Sequence, residues 1–404
     1  MSTVNTVDAM ADRAGAMGIS FDLSKEKEFL RANIRTLVER ECPPEYARET
    51  DEKEEFPERV WKALGEGGFL GIPIGEAYGG AGGDVLDMTI VTEELARRSG
   101  AIGLTFFMSS CFGGHLLETM GTEEQKRELL PRLARGEIKF AFSLTEPDGG
   151  TDVLGAMKTT AVEQDDHYLI NGQKVWTTAA HVSDYITVVA RTNQNVKKRA
   201  DGISVFLLDR ETPGIRLRKL EKVGIRATQS FEVFYDNVKA PKSRMLGEKD
   251  KGFYGLLAML NNERILTAAL TLGESQAAYD DAFAYAKQRR AFGKPLAQMQ
   301  AVQHRLAWMY TKVELSRLIT YKAAYLQSLG RDCAIEANMA KLVSANHATE
   351  VTDSGMQILG GYGYSREYDM QRYWRDCRLH RVGPVSDEMI LNIIGERLGL
   401  PRCF

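Results

Sequence analysis

Apolar residues recur at helical spacing along the first third of the chain. In Glu28-Phe29-Leu30-Arg31-Ala32-Asn33-Ile34-Arg35-Thr36-Leu37-Val38 they fall at 30, 34, 37 and 38, on one face of a helix. The pattern runs from Leu23 to about Lys139 through Glu93-Glu94-Leu95 and Glu123-Glu124-Gln125-Lys126, broken by a glycine-rich loop from Pro73 to Asp84. From Phe140 to about Leu246 the texture changes to strands. Tyr168-Leu169-Ile170-Asn171-Gly172-Gln173-Lys174-Val175-Trp176 reads as strand, Asn-Gly hairpin turn and strand. Residues 185–190 and 203–208 are further strands, and Phe231-Glu232-Val233-Phe234-Tyr235 alternates as a half-buried one. Pro213-Gly214, Asp236-Asn237 and Ala240-Pro241 supply turns. After Gly252 helical spacing returns until about Leu398. Leu256 to Arg289 is long, amphipathic and proline-free; Gln303 to Leu329 and Cys333 to Leu359 follow, with Gly330 as the break between them. The expected fold is mostly α with a central β-domain. An N-terminal extension (1–21) precedes a helical domain (22–139), a middle β-domain (140–247) and a C-terminal helical bundle (248–404).

At 404 residues the chain is long enough for two or three packed domains, and an apolar share of 44% supports a substantial core. The net charge of −3 gives no electrostatic case for nucleic acid or an anionic membrane. Cys42, Cys111, Cys333, Cys377 and Cys403 are scattered and odd in number, without a Cys-x-x-Cys, and the histidines show no metal-ligand spacing. These features predict a reduced, cytoplasmic protein with no metal. The N-terminus carries Asp8 and Asp12 and lacks a secretory pattern, and no run of 18 apolar residues predicts a membrane span. No Gly-x-Gly-x-x-Gly sits between a strand and a helix, which argues against a Rossmann dinucleotide site.

Candidate chemistry begins at Phe142-Ser143-Leu144-Thr145-Glu146-Pro147-Asp148-Gly149-Gly150-Thr151-Asp152. A strand here runs into a turn that offers hydroxyls and free backbone N–H groups, which can hold the polar edge of a planar cofactor or a phosphate. Alone, it is equally an ordinary turn. Trp176 alone reads as core, Arg289 and Arg290 as a solvated helix end, and Gly360, Gly361 and Gly363 as a helix cap. Their order and separation carry more than any one of them.

Taken together, these segments resemble the acyl-CoA dehydrogenase family from about residue 22 to the C-terminus. Thr145-Glu146-Pro147 with Gly150-Thr151-Asp152 resembles the family's flavin-contacting strand and loop, and Lys174-Val175-Trp176-Thr177-Thr178 its flavin-flanking strand. Arg289-Arg290-Ala291-Phe292-Gly293 with Gln300, and Gln357-Ile358-Leu359-Gly360-Gly361-Tyr362-Gly363, resemble the motifs that meet the adenosine-diphosphate part of a neighbouring subunit's FAD. The resemblance implies a β-barrel-like middle domain, a four-helix bundle and non-covalent FAD. It places Ser143, Leu144, Thr145, Thr151, Trp176, Thr178, Arg289, Phe292, Gln300, Gln357, Gly360, Gly361, Ser386 and Glu388 at the cofactor. It places Thr151, Asn261, Arg264 and Val385 at the substrate. The implied reaction is α,β-dehydrogenation of an acyl-CoA in fatty-acid or amino-acid catabolism, with a carboxylate taking the α-proton and hydride leaving to the flavin. Electrons pass to an electron-transfer flavoprotein, and the assembly is a homotetramer built as a dimer of dimers. Rival readings are an enoyl-CoA reductase of the crotonobetainyl-CoA reductase type, an oxidase or monooxygenase on the same fold, and a flavin-bearing binding protein that has lost catalysis.

One departure concerns the base. Most members carry it in a Tyr-Glu-Gly-Thr stretch after the Arg-Asp motif, here Arg375-Asp376. The equivalent stretch is Gly383-Pro384-Val385-Ser386, so Pro384 stands at the Glu position with neither a carboxylate nor an N–H. Isovaleryl-CoA and long-chain acyl-CoA dehydrogenases take the base from a helical Glu-Arg pair, matched by Asn261-Asn262-Glu263-Arg264. Met259, Leu266 and Leu270 flank Glu263 at −4, +3 and +7, so the acid interrupts an apolar stripe. It is either the base or half of a buried ion pair with an arginine. Arg264 either orients Glu263 or contacts the acyl-CoA. Asp387 and Glu388 are rival bases, and they read equally as the first turn of a helix capped by Ser386.

Overall fold

The computed structural model describes residues 22–257 and 259–402. The expected extension over 1–21 and Cys403 lie outside the described residues. The N-terminal unit is helical: α1 (Lys25–Glu41), α2 (Pro44–Lys53), α3 (Glu58–Glu66), α4 (Val85–Ala96), α5 (Gly100–Ser109), α6 (Leu116–Met120) and α7 (Glu123–Ala134). Local chemistry sets their starts. Ser24 caps α1, and capping boxes open α4 (Asp84 with Asp87) and α7 (Thr122 with Gln125). Between α5 and α6 the helix continues through a π turn, Ser110–His115. By length and composition Gly100–Met120 would suffice to cross a membrane, but it is almost wholly buried within the fold.

The middle unit is a sheet of eight strands: β1 (Phe140–Ser143), β2 (Thr160–Glu163), β3 (His167–Thr178), β4 (Tyr185–Arg191), β5 (Ile203–Asp209), β6 (Ile215–Leu220), β7 (Ser230–Pro241) and β8 (Met245–Leu246). The hydrogen-bonded order is β6-β7-β3-β2-β4-β5-β8, and β1 lies parallel to β4 with Phe140 opposite Tyr185. Two expected turns are absent. Asn171-Gly172 does not reverse the chain, because β3 runs on through it while pairing with β7 from His167 to Thr178. The Asn-Gly pair becomes a bulge instead. The Asp236-Asn237 turn is likewise a bulge inside β7, where Asn237 at φ 50° donates its N–H to Asn171 Oδ1 at 2.8 Å. The actual reversal between β2 and β3 is at Gln164, whose N–H donates to the His167 carbonyl at 2.8 Å. Phe231, Val233 and Tyr235 face the core of the sheet as the alternation predicts, while Glu232 and Phe234 turn to the other face, where Arg218 pairs with Glu232 and lies over the half-buried Phe234 ring.

A single turn, α8 (Val153–Ala156), lies within the middle unit, and after α9 (Gly252–Leu257) come the bundle helices α10 (Leu260–Gln288), α11 (Gln300–Ser328) and α12 (Ala334–Leu359), the short α13 (Gly361–Tyr364) and α14 (Met370–Cys377), and α15 (Asp387–Arg397). A two-stranded hairpin, Arg290–Ala291 with Lys294–Pro295, joins α10 to α11. Gly330, at φ 66°, breaks α11 from α12. The amphipathic expectation fails for α10. Its first half is buried nearly all round, because α4 and α5 cover one side while α11 and α12 cover another. Phe140, Leu207, Met259, Leu266 and Leu270 share one apolar core with the N-terminal helices, so the helical and β units are closed by the start of α10.

α10 comes close to α4 at Gly273, where an added Cβ would lie 2.3 Å from the Glu93 carbonyl oxygen. Gly273→Ala is therefore expected to lower stability by about 1–3 kcal/mol, the usual range for overpacking. The check is the denaturant midpoint at constant m; an unchanged midpoint would show that α4 and α10 separate freely.

Candidate active site

The first cluster grows from the end of β1. The Ser143 hydroxyl is fully buried, accepting from the Tyr235 hydroxyl at 2.8 Å and meeting Thr177 Oγ1 at 3.1 Å. Any part Ser143 plays at a ligand therefore falls to its backbone. The Leu144 carbonyl accepts from Lys174 Nζ at 2.8 Å, and the Thr145 carbonyl accepts from the Val175 N–H at 2.8 Å. These bonds hold Thr145 beside Trp176. Glu146 locks the turn: its carboxylate accepts from Lys174 Nζ at 2.9 Å and from the N–H groups of Lys158 and Thr159 at 2.7 and 2.9 Å. Burial opposes ionisation of Glu146, but Lys174 and these donors outweigh it and hold the carboxyl below its ordinary range. Burial pushes Lys174 down to about 8, which leaves the pair ionised at neutral pH.

Beyond Lys174 the register of β3 slips, and Trp176 sits at φ 61° with its indole 58% exposed. A bulky residue in the left-handed region, turned outward, is a strained and costly arrangement on a surface. Thr178 lies next to it, half-buried, with its hydroxyl 3.0 Å from Ser230 Oγ. Thr151 is exposed on the loop after the Thr145-Glu146-Pro147 turn.

The second cluster surrounds Glu263, one turn into α10. It is 6% exposed, and among the described residues its carboxylate makes no hydrogen bond or ion pair. Burial raises its pKa above the ordinary carboxylate value, against the pull of Arg264 and Lys341. The expected arginine partner is absent there: Arg264 gives Nε to Asn338 Oδ1 at 2.9 Å and Nη1 to the Leu260 carbonyl at 2.8 Å. Asn261 is half-buried and donates to Gln327 Oε1 at 3.4 Å. Cys111 of the π turn faces Glu263, and Phe112 beside it stacks on Phe142 of β1 with ring centroids 4.1 Å apart. That contact joins the Glu263 cluster to the β1 cluster. Val385 and Ser386 enter from the last connection. Ser386 caps α15 by accepting from the Met389 N–H, and Glu388 is exposed. Asp387 is buried and neutralised by Lys341, Arg381 and Asn346 at 3.3, 2.9 and 3.0 Å. Both of its oxygens are taken up in these bonds.

The third set stands apart. Arg289 ends α10, Gln300 opens α11 and Gln357 lies in the last turn of α12, so all three occupy one end of the bundle. Gly360 and Gly361 follow, and Arg289 lies 5.8 Å from the ring of Tyr362. Phe292, at φ 51°, is 95% exposed at the tip of the hairpin. At 1.5 Å per residue Glu263 and Arg289 are about 39 Å apart along the helix. A separate cleft lined by Arg35, Glu94, Arg97 and Asp280 is already internally paired, with Arg35–Glu94 at 2.7 Å and Arg97–Asp280 at 2.8 Å. Among the described residues no group of three His, Cys, Asp or Glu side chains is placed to hold a metal.

Lys341 escaped the sequence reading, although it left a signal: a lysine among the small, buried residues Ala337, Ala340, Ser344 and Ala345. The pairing of Lys174 with Glu146 left none, because it joins residues 28 apart.

The three units coincide with a known arrangement. Residues 24–137, 141–238 and 250–399 match the N-terminal, middle and C-terminal domains of acyl-CoA dehydrogenases. The chain is 38% identical over 381 residues to "Acyl-CoA dehydrogenase, short-chain specific" of Clostridium acetobutylicum, covering 94% of this chain and 100% of that one. It is 37% identical to "Caffeyl-CoA reductase-Etf complex subunit CarC" of Acetobacterium woodii, over 89% of this chain and 94% of that one. The structure of butyryl-CoA dehydrogenase from Megasphaera elsdenii superposes with a TM-score of 0.89 at 34% identity, over 94% of this chain and 100% of that one. The chain belongs to the acyl-CoA dehydrogenase family, whose members are flavoproteins that use FAD. It is an oxidoreductase acting on CH–CH bonds.

Glu146→Gln would leave Lys174 charged, buried and unpaired. It is expected to cost about 3–5 kcal/mol, while Glu146→Gln with Lys174→Met recovers most of the loss. Because the folded Glu146 pKa is depressed, its contribution is present above the ordinary value of 4.5 and is lost as the pH falls through the folded pKa. Thermal unfolding of the three proteins at neutral and acid pH checks both the size and the sign.

Proposed function

We propose that this protein removes the α and β hydrogens of an acyl-CoA thioester to give the trans-2-enoyl-CoA, with Glu263 as the α-proton base. The observation that carries the reading is the Glu263 carboxylate: buried, unpaired among the described residues, and raised in pKa by burial. A structural ion pair would have the opposite character. Desolvation brings a carboxylate toward the basicity that proton abstraction needs, and Glu263 supplies this without help from Pro384. Asp387 is held by three donors and Glu388 is exposed, so neither rival matches it. The Val385 N–H has no acceptor among the described residues and is the group we assign to the thioester oxygen. Asn261, Arg264 and Thr151 line the approach of the acyl-CoA in this reading.

FAD is the cofactor we infer, and the residues fit it. Trp176 and Phe292 leave aromatic faces uncovered, Thr145 and Thr178 offer hydroxyls beside the indole, and an added Cβ on Gly361 would meet nothing within 4 Å. When bound, FAD supplies the hydride acceptor. Arg289, Gln300 and Gln357 stand too far from Glu263 along α10 to serve the same cofactor in one chain, so we assign them to the FAD of a neighbouring subunit. Exposed Trp308, Leu315, Leu318 and Tyr325 on α11 supply an apolar face for the assembly, which we take as a homotetramer. Electrons pass to an electron-transfer flavoprotein. A second reading is enoyl-CoA reduction at the same residues, favoured by the similarity to the caffeyl-CoA reductase subunit.

Anaerobic bleaching of the flavin by straight, branched and cyclic acyl-CoAs tests the direction and the substrate; bleaching by none of them, with reoxidation by an enoyl-CoA, would favour the reductase. Glu263→Gln is expected to retain FAD and acyl-CoA while slowing flavin reduction by about 10²-fold or more. In the parent, the rate should fall as the pH drops through the raised pKa of Glu263. The folded pKa lies above the unfolded one, so ionised Glu263 costs stability at neutral pH, and Glu263→Gln is expected to raise the melting temperature there. Sedimentation should find no flavin-loaded monomer at micromolar concentration.

A further inference from the structure

We propose that Lys341 is a positioning residue of this reaction, anchoring the Val385–Asp387 turn and supplying a buried positive charge to the surroundings of Glu263. The inference rests on the reading of Glu263 as the base. Lys341 is 1% exposed on α12, where a lysine is expensive unless it is bonded. Its Nζ donates to the Val385 carbonyl at 2.6 Å and lies 3.3 Å from Asp387 Oδ1. The carbonyl and N–H of a trans peptide point in opposite directions. Drawing the Val385 carbonyl toward Lys341 therefore turns the Ser386 N–H, on the same peptide, away from it. Among the described residues neither that N–H nor the Val385 N–H has an acceptor. Lys341 thus fixes a segment of the last connection that presents free donors.

The charges around it are unequal. Among the described residues Lys341, Arg264 and Arg381 are the cations here and Glu263 and Asp387 the carboxylates, while burial raises the Cys111 thiol that faces Glu263 and keeps it neutral. His380, buried beside Lys341, is pushed down to about 3 by burial and is neutral. Asp387 is occupied by Lys341 and Arg381 together. One positive charge is left over, and Lys341 and Arg264 both act on Glu263. This surplus opposes the rise in pKa that burial imposes on Glu263.

The test separates the two roles. Lys341→Gln keeps a donor for the Val385 carbonyl but loses the charge, Lys341→Met loses both, and Lys341→Arg keeps the charge. In single-turnover flavin reduction, the acidic limb of the pH profile is expected to move up by about 1 or more in Lys341→Gln and Lys341→Met, and to stay in Lys341→Arg. Acyl-CoA affinity is expected to fall about tenfold in Lys341→Met and little in Lys341→Gln. Infrared titration of the Glu263 carboxyl in flavin-free protein should move with the limb. A purely structural lysine would lower the melting temperature of all three and leave the carboxyl titration where it is. That outcome in folded Lys341→Gln overturns the inference. Glu263→Gln run alongside keeps the failures apart: parental reduction in that variant sinks the base reading. Its inactivity, with an unmoved titration in Lys341→Gln, sinks only the role of Lys341.

Discussion

The helix Leu260–Gln288 has almost no solvent-facing side between Asn262 and Ala278, and the three structural units meet on it. A helix in that position can carry small and apolar residues freely, but each polar group must be satisfied internally. Thr267, Thr271 and Ser275 comply by donating to carbonyls one turn back, at 2.8, 3.2 and 2.7 Å. Glu263 and Glu274 do not. Both are buried without a bonded partner among the described residues, and burial raises both. Their surroundings differ. Glu274 sits against Gly100, with Asp376 as its principal charged neighbour, so two acids share one interior site. Glu263 has the cations Arg264 and Lys341 around it, and Lys341 also holds the Val385–Asp387 turn. The same burial that makes a carboxylate costly thus meets cations in one place and a second acid in the other.

Charge placement elsewhere in the protein follows the same economy of pairing. Lys174, fully buried, faces Glu146 and fastens the end of β1 to β3, and Asp387 is held by two cations and an amide. These groups are consumed in holding strands and turns together. Glu263 and the N–H groups of Val385 and Ser386 are left uncommitted among the described residues. Trp176 and Phe292, both at positive φ and both exposed, pay for their conformation with nothing inside the chain.

Alternation and helical spacing in the sequence sufficed for the order of units, the long helices, the break at Gly330 and the buried stripe around Glu263, because these depend on local periodicity. The motifs that carry the family resemblance were legible for a related reason: turns and caps demand particular residues at short range. What the sequence could not decide depended on distant partners. Asn171-Gly172 became a bulge because β7 pairs through it, and α10 lost its solvent face because helices from both ends of the chain cover it. The partners of Lys174 and Lys341 are 28 to 46 residues away, and only the tertiary structure shows that these charges are paired while Glu263 is not. Whether a buried carboxylate is a base or a strut is settled by which side chains come within a few ångströms, and spacing along the chain does not encode that.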